Sequence, residues 1–133
     1  MKITGRWLGV AVVITVVTLG PANWTEAHAR LIRTDPSPGS VLSSSPRVVR
    51  LWFRIGGTEE LHPRGSAVSV WDGRGRRVDD GKGGVDLNDL DRRSMIVRLR
   101  PIGPGTYTVK WKAVSTPDGS VTKGEFRFRV AAR

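Results

Sequence analysis

The chain has 133 residues, which is the size of one domain, and its 22 lysines and arginines against 12 acidic residues give a formal charge of +10. It has no cysteine, which excludes disulfides, zinc held by thiolates and a cysteine nucleophile. Such an excess of basic over acidic residues favours contact with an anionic surface. The basic residues alternate along strands and do not form a run, which is also typical of a solvated exterior.

The start of the chain has the pattern of a secretory signal peptide. A positively charged beginning is followed by 13 uncharged residues, Leu8 to Gly20, and by a more polar tail that ends at Ala27. The uncharged run is shorter than the roughly 20 apolar residues that a membrane-spanning helix requires. We therefore predict a signal peptide over residues 1–27 and an exported domain over residues 28–133, located in a periplasm or another extracytoplasmic part of the cell envelope.

Cleavage after Ala27 changes both the first residue and the charge. His28 becomes the N-terminus of a mature chain of 106 residues. Lys2, Arg6 and Glu26 are removed, which leaves 20 basic and 11 acidic residues and a charge of +9. Export makes a nucleic-acid partner unexpected, whereas an anionic envelope surface stays available to the domain. We expect the mature protein to be a monomer.

Alternating apolar and polar residues predict about seven strands separated by turns rich in Pro, Gly, Ser and Asp. The predicted strands are His28 to Thr34, Arg47 to Ile55, Ser66 to Trp71, Arg76 to Val78, Ser94 to Arg100, Tyr107 to Ala113 and Phe126 to Val130. No segment has a helical period. The pattern predicts an all-β fold, an antiparallel Greek-key sandwich or barrel of immunoglobulin-like type.

The last two strands form the clearest hairpin. Tyr107, Val109, Trp111 and Ala113 share one face, and lysines occupy the other. The connection from residue 115 to residue 120 contains Asp118 next to a glycine, which is mainly turn chemistry.

Catalytic constellations are absent from the sequence. Histidine occurs only at His28 and His62, and no G-x-S-x-G nucleophile motif is present. The adjacent carboxylates Glu59–Glu60 and Asp79–Asp80 are interpreted as solvated loop charges. We therefore predict a binding protein and not an enzyme. After cleavage, His28 offers an amine and an imidazole to Cu(II) as a chelate, although a histidine can also occur at a cleavage point by chance.

Short motifs along the whole mature chain carry a family resemblance. They are His28-Ala29, Asp35-Pro36-Ser37-Pro38-Gly39-Ser40, Val49 to Phe53, Pro104 to Trp111, Ser115 with Asp118-Gly119, and Gly124 to Val130. Together they resemble the CopC-like copper-resistance domains, which are exported cupredoxin-like or immunoglobulin-like β-barrels that bind copper. The resemblance implies a copper ion as ligand and a membrane copper transporter as partner.

The resemblance also implies a metal site, which this chain matches in part. The family holds Cu(II) with an N-terminal histidine, with the Asp and the His of an Asp-Gly-His turn, and often with a carboxylate after the second strand. His28 matches the first ligand and Asp118 the second. Ser120 stands at the position of the turn histidine, Ile55 at about that of the carboxylate, and Arg30 at that of a frequent third-position histidine. We therefore predict His28 and Asp118 as the metal ligands of an incomplete, weakened Cu(II) site.

Two functions follow from these features. The first is an exported protein that binds Cu(II) weakly and passes it to a membrane transporter; the position of His28 favours it. The alternative is a metal-free module that docks on an anionic envelope surface or an acidic partner, which Ser120 and Arg30 favour. His62 or Glu60, from the loop of residues 56–65, would be the further ligands available to the first.

Overall fold

The computed structural model describes residues 28–133, and all regular structure in that range is β-structure. The predicted signal peptide, residues 1–27, lies outside the described residues and stays a prediction. Within residues 28–133 no helix is long and apolar enough to span a membrane.

Nine strands follow one another along this part of the chain. They are β1 (Arg30–Asp35), β2 (Val41–Leu42), β3 (Val48–Arg54), β4 (Glu60–Leu61), β5 (Ala67–Trp71), β6 (Gly84–Val85), β7 (Ser94–Arg98), β8 (Gly105–Thr116) and β9 (Val121–Val130). The four-stranded sheet has the order β1-β3-β7-β6, and the five-stranded sheet has the order β2-β9-β8-β4, with β5 also paired to β8. The strand pairs are antiparallel except β2 with β9, which is parallel.

The prediction of an all-β sandwich is confirmed. Six predicted strands correspond to the longer strands β1, β3, β5, β7, β8 and β9. The predicted strand from Arg76 to Val78 is reduced to one isolated bridge between Trp71 and Arg77. The other three strands have two residues each, which is too short to produce a period in the sequence.

The core lies between the two sheets and follows the period of two along each strand. Its most deeply buried apolar side chains are Val49, Leu51, Leu61, Val68, Val70, Met95, Val97, Val109 and Phe128. The ring of Phe53 meets Trp111 edge-on with 5.3 Å between ring centroids, so this aromatic pair joins β3 of one sheet to β8 of the other. Val49, Leu51 and Phe53 occupy alternate positions of β3, and all three are buried, as is Met95 of β7.

The burial of Asp79 shows that the prediction of solvated loop charges at Asp79–Asp80 was wrong for Asp79. This residue is 1% exposed, and its carboxylate accepts hydrogen bonds from the N–H of Val70 at 2.8 Å and of Gly81 at 2.7 Å. Arg77 forms an ion pair with it at 3.0 Å. Burial alone would raise the pKa of Asp79, but the Arg77 side chain and the two N–H donors lower it below the usual 3.8. Asp79 therefore fastens the connection after β5 to that strand, while Asp80 is exposed as predicted.

Candidate metal centre

The turn between β8 and β9 fixes the position of Asp118. The N–H of Ser115 donates to the carbonyl of Ser120 at 2.9 Å, and the N–H of Gly119 donates to the carbonyl of Ser115 at 2.9 Å. Gly119 has φ of 71°, a left-handed conformation that glycine adopts without a steric penalty. The Asp-Gly pair is therefore turn chemistry, as predicted, and it presents the Asp118 side chain to solvent at the end of the hairpin.

The beginning of the described chain is tied to this same turn. The N–H of Ala29 donates a hydrogen bond of 3.2 Å to Oγ of Ser115. Ala29 is 1% exposed and Ser115 is 0% exposed, so the bond is closed off from water. β1 then starts at Arg30, which pairs with Arg54 at the end of β3. This bond leaves His28, one residue before Ala29, exposed beside the turn.

The two predicted ligands lie close enough to interact. The carboxylate of Asp118 accepts a hydrogen bond from the N–H of Ser120 at 3.1 Å. The pKa of Asp118 is lowered below 3.8, chiefly by that backbone hydrogen bond; desolvation opposes the shift, and the Ser120 side chain and the charge of His28 add to it. His28 is thus near enough for its charge to affect Asp118, although the ion pairs of residues 28–133 include none between the two side chains.

The three departures from the family pattern have clear places in the structure. Ser120 is half-buried in the turn and interacts with Asp118. Ile55 is 4% exposed and belongs to the core directly after β3. Arg30 is exposed on β1. In residues 28–133 no group of three or more His, Cys, Asp or Glu side chains is arranged to hold a metal ion.

The two additional ligand candidates, Glu60 and His62, lie near the turn but are engaged elsewhere. β4 pairs Glu60 with Thr116 at the end of β8. The Glu60 carboxylate lies 3.4 Å from Nη1 of Arg92, and Nδ1 of His62 accepts the N–H of Arg64 at 3.2 Å. Neither side chain joins His28 and Asp118 in this conformation.

The sequence did not reveal the structural role of Ser115. The family motif includes this serine, and the alternation of residues places it on the inward face of β8. Neither observation indicates that its hydrogen-bond partner is Ala29, at the start of the domain. A buried serine directly before a turn was the available hint, because a buried hydroxyl requires a hydrogen-bond partner.

Comparison with protein families and curated proteins gives consistent matches. The model of the CopC domain family matches residues 31–131, a range that contains Asp118 and Ser120 and begins after His28. The chain is 30% identical over 138 aligned positions to Protein YobA of Escherichia coli (strain K12), an alignment that covers 98% of this chain and 99% of YobA. It is also 30% identical over 105 positions to Copper transport protein CutJ of Bacillus subtilis (strain 168), where the match covers 78% of this chain and 18% of CutJ.

Solved structures of CopC and PcoC are similar to this chain. CopC from Methylosinus trichosporium OB3b superposes with a TM-score of 0.67 at 26% identity, over 80% of this chain and 96% of that one. PcoC, a methionine-rich copper resistance protein from Escherichia coli, superposes with a TM-score of 0.58 at 26% identity, over 78% of this chain and 99% of that one. The described part of this chain has one methionine, Met95, and it is buried in the core.

Proposed function

Because this chain belongs to the CopC domain family, we propose that it is an exported copper-binding protein of the copper-resistance type, with His28 and Asp118 as its metal ligands. The family and its copper-resistance relatives support a copper-related role. They also support the prediction that the protein is not an enzyme, because the family consists of copper-binding domains.

The observation that carries the proposal is the hydrogen bond between Ala29 and Ser115. It ties the start of the domain to the β8–β9 turn, which supports His28 and Asp118 as ligands of one ion although 90 positions separate them in the sequence. In a chain cleaved after Ala27, we expect the same bond to keep the free amine of His28 near this turn.

The resulting donor set suits Cu(II) in type and is incomplete in number. The His28 amine and imidazole supply two nitrogens and Asp118 supplies one carboxylate oxygen, the ligand types that Cu(II) accepts in tetragonal N,O geometry. The lowered pKa of Asp118 means that this carboxylate has no proton to lose before it binds. Ser120 provides no imidazole, and the exposed cation of Arg30 opposes a dication by Coulomb repulsion. We infer weak, labile binding with coordination positions left for water or for a partner's ligand.

A protein that passes Cu(II) to a partner must release the ion readily, and labile binding allows this. A site with open positions lets an incoming ligand bind before the first ligands leave, so a membrane copper transporter is the partner that we propose. The match to a segment of Copper transport protein CutJ supports a link to copper transport, because there a similar domain forms part of a protein named for it.

The experiment is a Cu(II) titration of residues 28–133 produced with His28 as the first residue, followed by visible absorption and electron paramagnetic resonance. A copy acetylated at the His28 amine loses one donor only, and Asp118→Asn replaces the carboxylate. We expect nitrogen hyperfine structure in the parent protein, altered coordination in the acetylated copy and weaker binding in Asp118→Asn. Circular dichroism of the metal-free samples controls for folding.

Identical titrations for all three samples would contradict the assignment of these ligands. The metal-free docking module would then be the better description, since Ser120 and Arg30 depart from the family's copper-binding pattern.

A further inference from the structure

The outer face of the five-stranded sheet carries a dense array of positive charge. Five exposed cations project from the outward positions of β8 and β9, and we call this array the basic face: Lys110, Lys112, Lys123, Arg127 and Arg129. In these two strands Glu125 is the one acidic residue on the same side. The array therefore has a strong net positive charge over an area about two strands wide.

The arrangement of these cations opposes folding stability. Lys112 lies directly opposite Lys123 in the antiparallel ladder, and like charges at opposed positions repel each other. The ion pairs found within residues 28–133 involve Arg50, Arg77 and Arg92, and none involves a residue of the basic face. At the centre of the face Lys110 lies opposite Glu125, whereas none of the other four cations has a carboxylate opposite it in the ladder. The face therefore keeps a net positive charge that an anionic partner would balance.

Apolar side chains accompany the cations on this face. Val41 is 62% exposed and pairs with Arg129, and Val121 is 49% exposed at the start of β9. The half-buried Trp71 lies at the edge formed by β5, with Nζ of Lys110 5.3 Å from its ring centroid. Cations combined with tryptophan and exposed aliphatic side chains are the composition that favours a membrane interface.

The outer face of the four-stranded sheet differs, although it also carries arginines. Arg50 pairs with Asp86 at 3.2 Å and lies opposite Asp35 in the ladder. Asp89 and Asp91 line the hollow beside it. Arg33 is stacked on Trp52, with its guanidinium carbon 4.1 Å from the ring centroid. Because carboxylates balance much of this charge, it is the basic face that matches an extended anionic surface.

We propose that the basic face docks on a bilayer that contains anionic phospholipid. The cations are spread over a sheet surface and not gathered around one enclosed cavity, so they match repeated headgroups better than a single ligand. The candidate metal centre lies at the turn end of the β8–β9 hairpin. When the basic face lies on the bilayer, His28 and Asp118 are therefore at the edge of the contact. The proposal uses no copper chemistry and does not rest on the proposed function.

The test measures sedimentation of metal-free protein with vesicles of phosphatidylcholine and phosphatidylglycerol in equal parts. Residues 28–133 are the unit to use, because they contain the whole core described above. The face variant combines Lys112→Gln, Lys123→Gln and Arg127→Gln. We expect each lost cation to weaken binding about fivefold and the three together about a hundredfold. Binding of the parent protein should also weaken as salt is added.

The matched control removes the same number of charges elsewhere, through Arg47→Gln, Arg54→Gln and Arg98→Gln, all exposed arginines outside the basic face. The control should bind vesicles within a few-fold of the parent, in contrast to the face variant. Equal losses in the two variants would overturn the proposal, because binding would then follow net charge alone.

Two further results would also overturn it. One is equally strong binding to vesicles of phosphatidylcholine alone, and the other is binding to polyglutamate without binding to anionic vesicles, which would identify an acidic protein as the partner. The face variant removes the repulsion between Lys112 and Lys123, so we expect it to fold. A copper titration of the same variants separates this proposal from the metal site, which both should leave intact.

Discussion

The N–H of Ala29 donates a hydrogen bond to Oγ of Ser115, which lies 86 residues further along the chain. Both residues are buried, so the bond is formed where an unpaired N–H would be costly. It ties the residue directly before β1 to the β8–β9 hairpin of the other sheet, at the end of the sandwich where Asp118 lies. The position of the chain start is therefore part of the fold, and the candidate metal centre depends on it.

Replacing Ser115 with alanine should weaken both the fold and the metal centre. Ser115→Ala leaves the Ala29 N–H buried without its partner, and we expect the free energy of unfolding to fall by about 1–2 kcal/mol. We also expect Cu(II) affinity to fall about tenfold, because His28 is no longer held beside Asp118. Urea denaturation and a copper titration of the same sample measure the two effects.

Ser66→Ala is the matched control for that prediction. Oγ of Ser66 also bonds the hairpin, with the N–H of Val114 donating to it at 3.0 Å, but it has no contact with the chain start. A similar loss of stability with unchanged copper affinity is expected. Equal losses of affinity in the two variants would mean that Ser115 acts through general stability and not by positioning His28.

Introducing a turn histidine should strengthen copper binding. Ser120→His adds an imidazole two residues after Asp118, and we expect at least about a tenfold gain in Cu(II) affinity, or about 1.4 kcal/mol. Lys123→His is the control, because it adds the same group to an outward position of β9. No gain from Ser120→His in an isothermal titration would show that His28 and Asp118 do not converge on one ion.

The fold was predictable where a strand is long enough for its alternation of apolar and polar residues to be recognised. Val49, Leu51 and Phe53 lie at every second position of a seven-residue strand, and all three are buried. The strand Glu60–Leu61 has two residues and leaves no period, so it was not predicted. Its pairing with β8 depends on the path of the preceding loop, which residue patterns do not encode.

Of the candidate metal centre, the sequence predicted which two residues take part but not how they are positioned. The family motif indicated His28 and Asp118, and a turn containing Asp-Gly placed Asp118 correctly. The position of His28 depends on Ser115, whose partner Ala29 lies directly before β1 and 86 residues away, and no local pattern identifies contacts of that range. The burial of Asp79 was missed for a related reason: three donors from separate positions replace the water that a carboxylate in a polar loop would otherwise bind.

Asp79 should make stability depend on pH in the acid range. Its pKa is lowered in the folded state, so its contribution is complete above the unfolded-state pKa of about 3.9 and is lost as the pH falls through the lower folded-state value. We expect Asp79→Asn to reduce the free energy of unfolding by about 1–3 kcal/mol at neutral pH, because two N–H groups and Arg77 lose their carboxylate partner, while the half-exposed Arg77 can be solvated.

Urea denaturation across the acid range checks this prediction. The difference between the parent protein and Asp79→Asn should begin to shrink as the pH falls below the unfolded-state pKa of about 3.9, and it should continue to shrink until the folded parent is protonated below its own, lower pKa. The exposed neighbour provides the control, since Asp80→Asn should change stability by no more than about 0.5 kcal/mol. A difference that stays constant with pH would mean that the charge of Asp79 contributes nothing.

Gly124 should resist substitution because an indole ring occupies the space beside it. It lies opposite Trp111 in the β8–β9 ladder, and a Cβ added there would be 2.5 Å from Cζ2 of that ring. The ring would have to move away from Phe53, so we expect Gly124→Ala to destabilise the protein by about 1–3 kcal/mol. The control Gly73→Ala should be much milder, because its nearest atom would be a carbonyl oxygen at 3.8 Å. Equal unfolding midpoints for the two variants would mean that Trp111 can shift at little cost, and its contact with Phe53 would then add little to the joining of the two sheets.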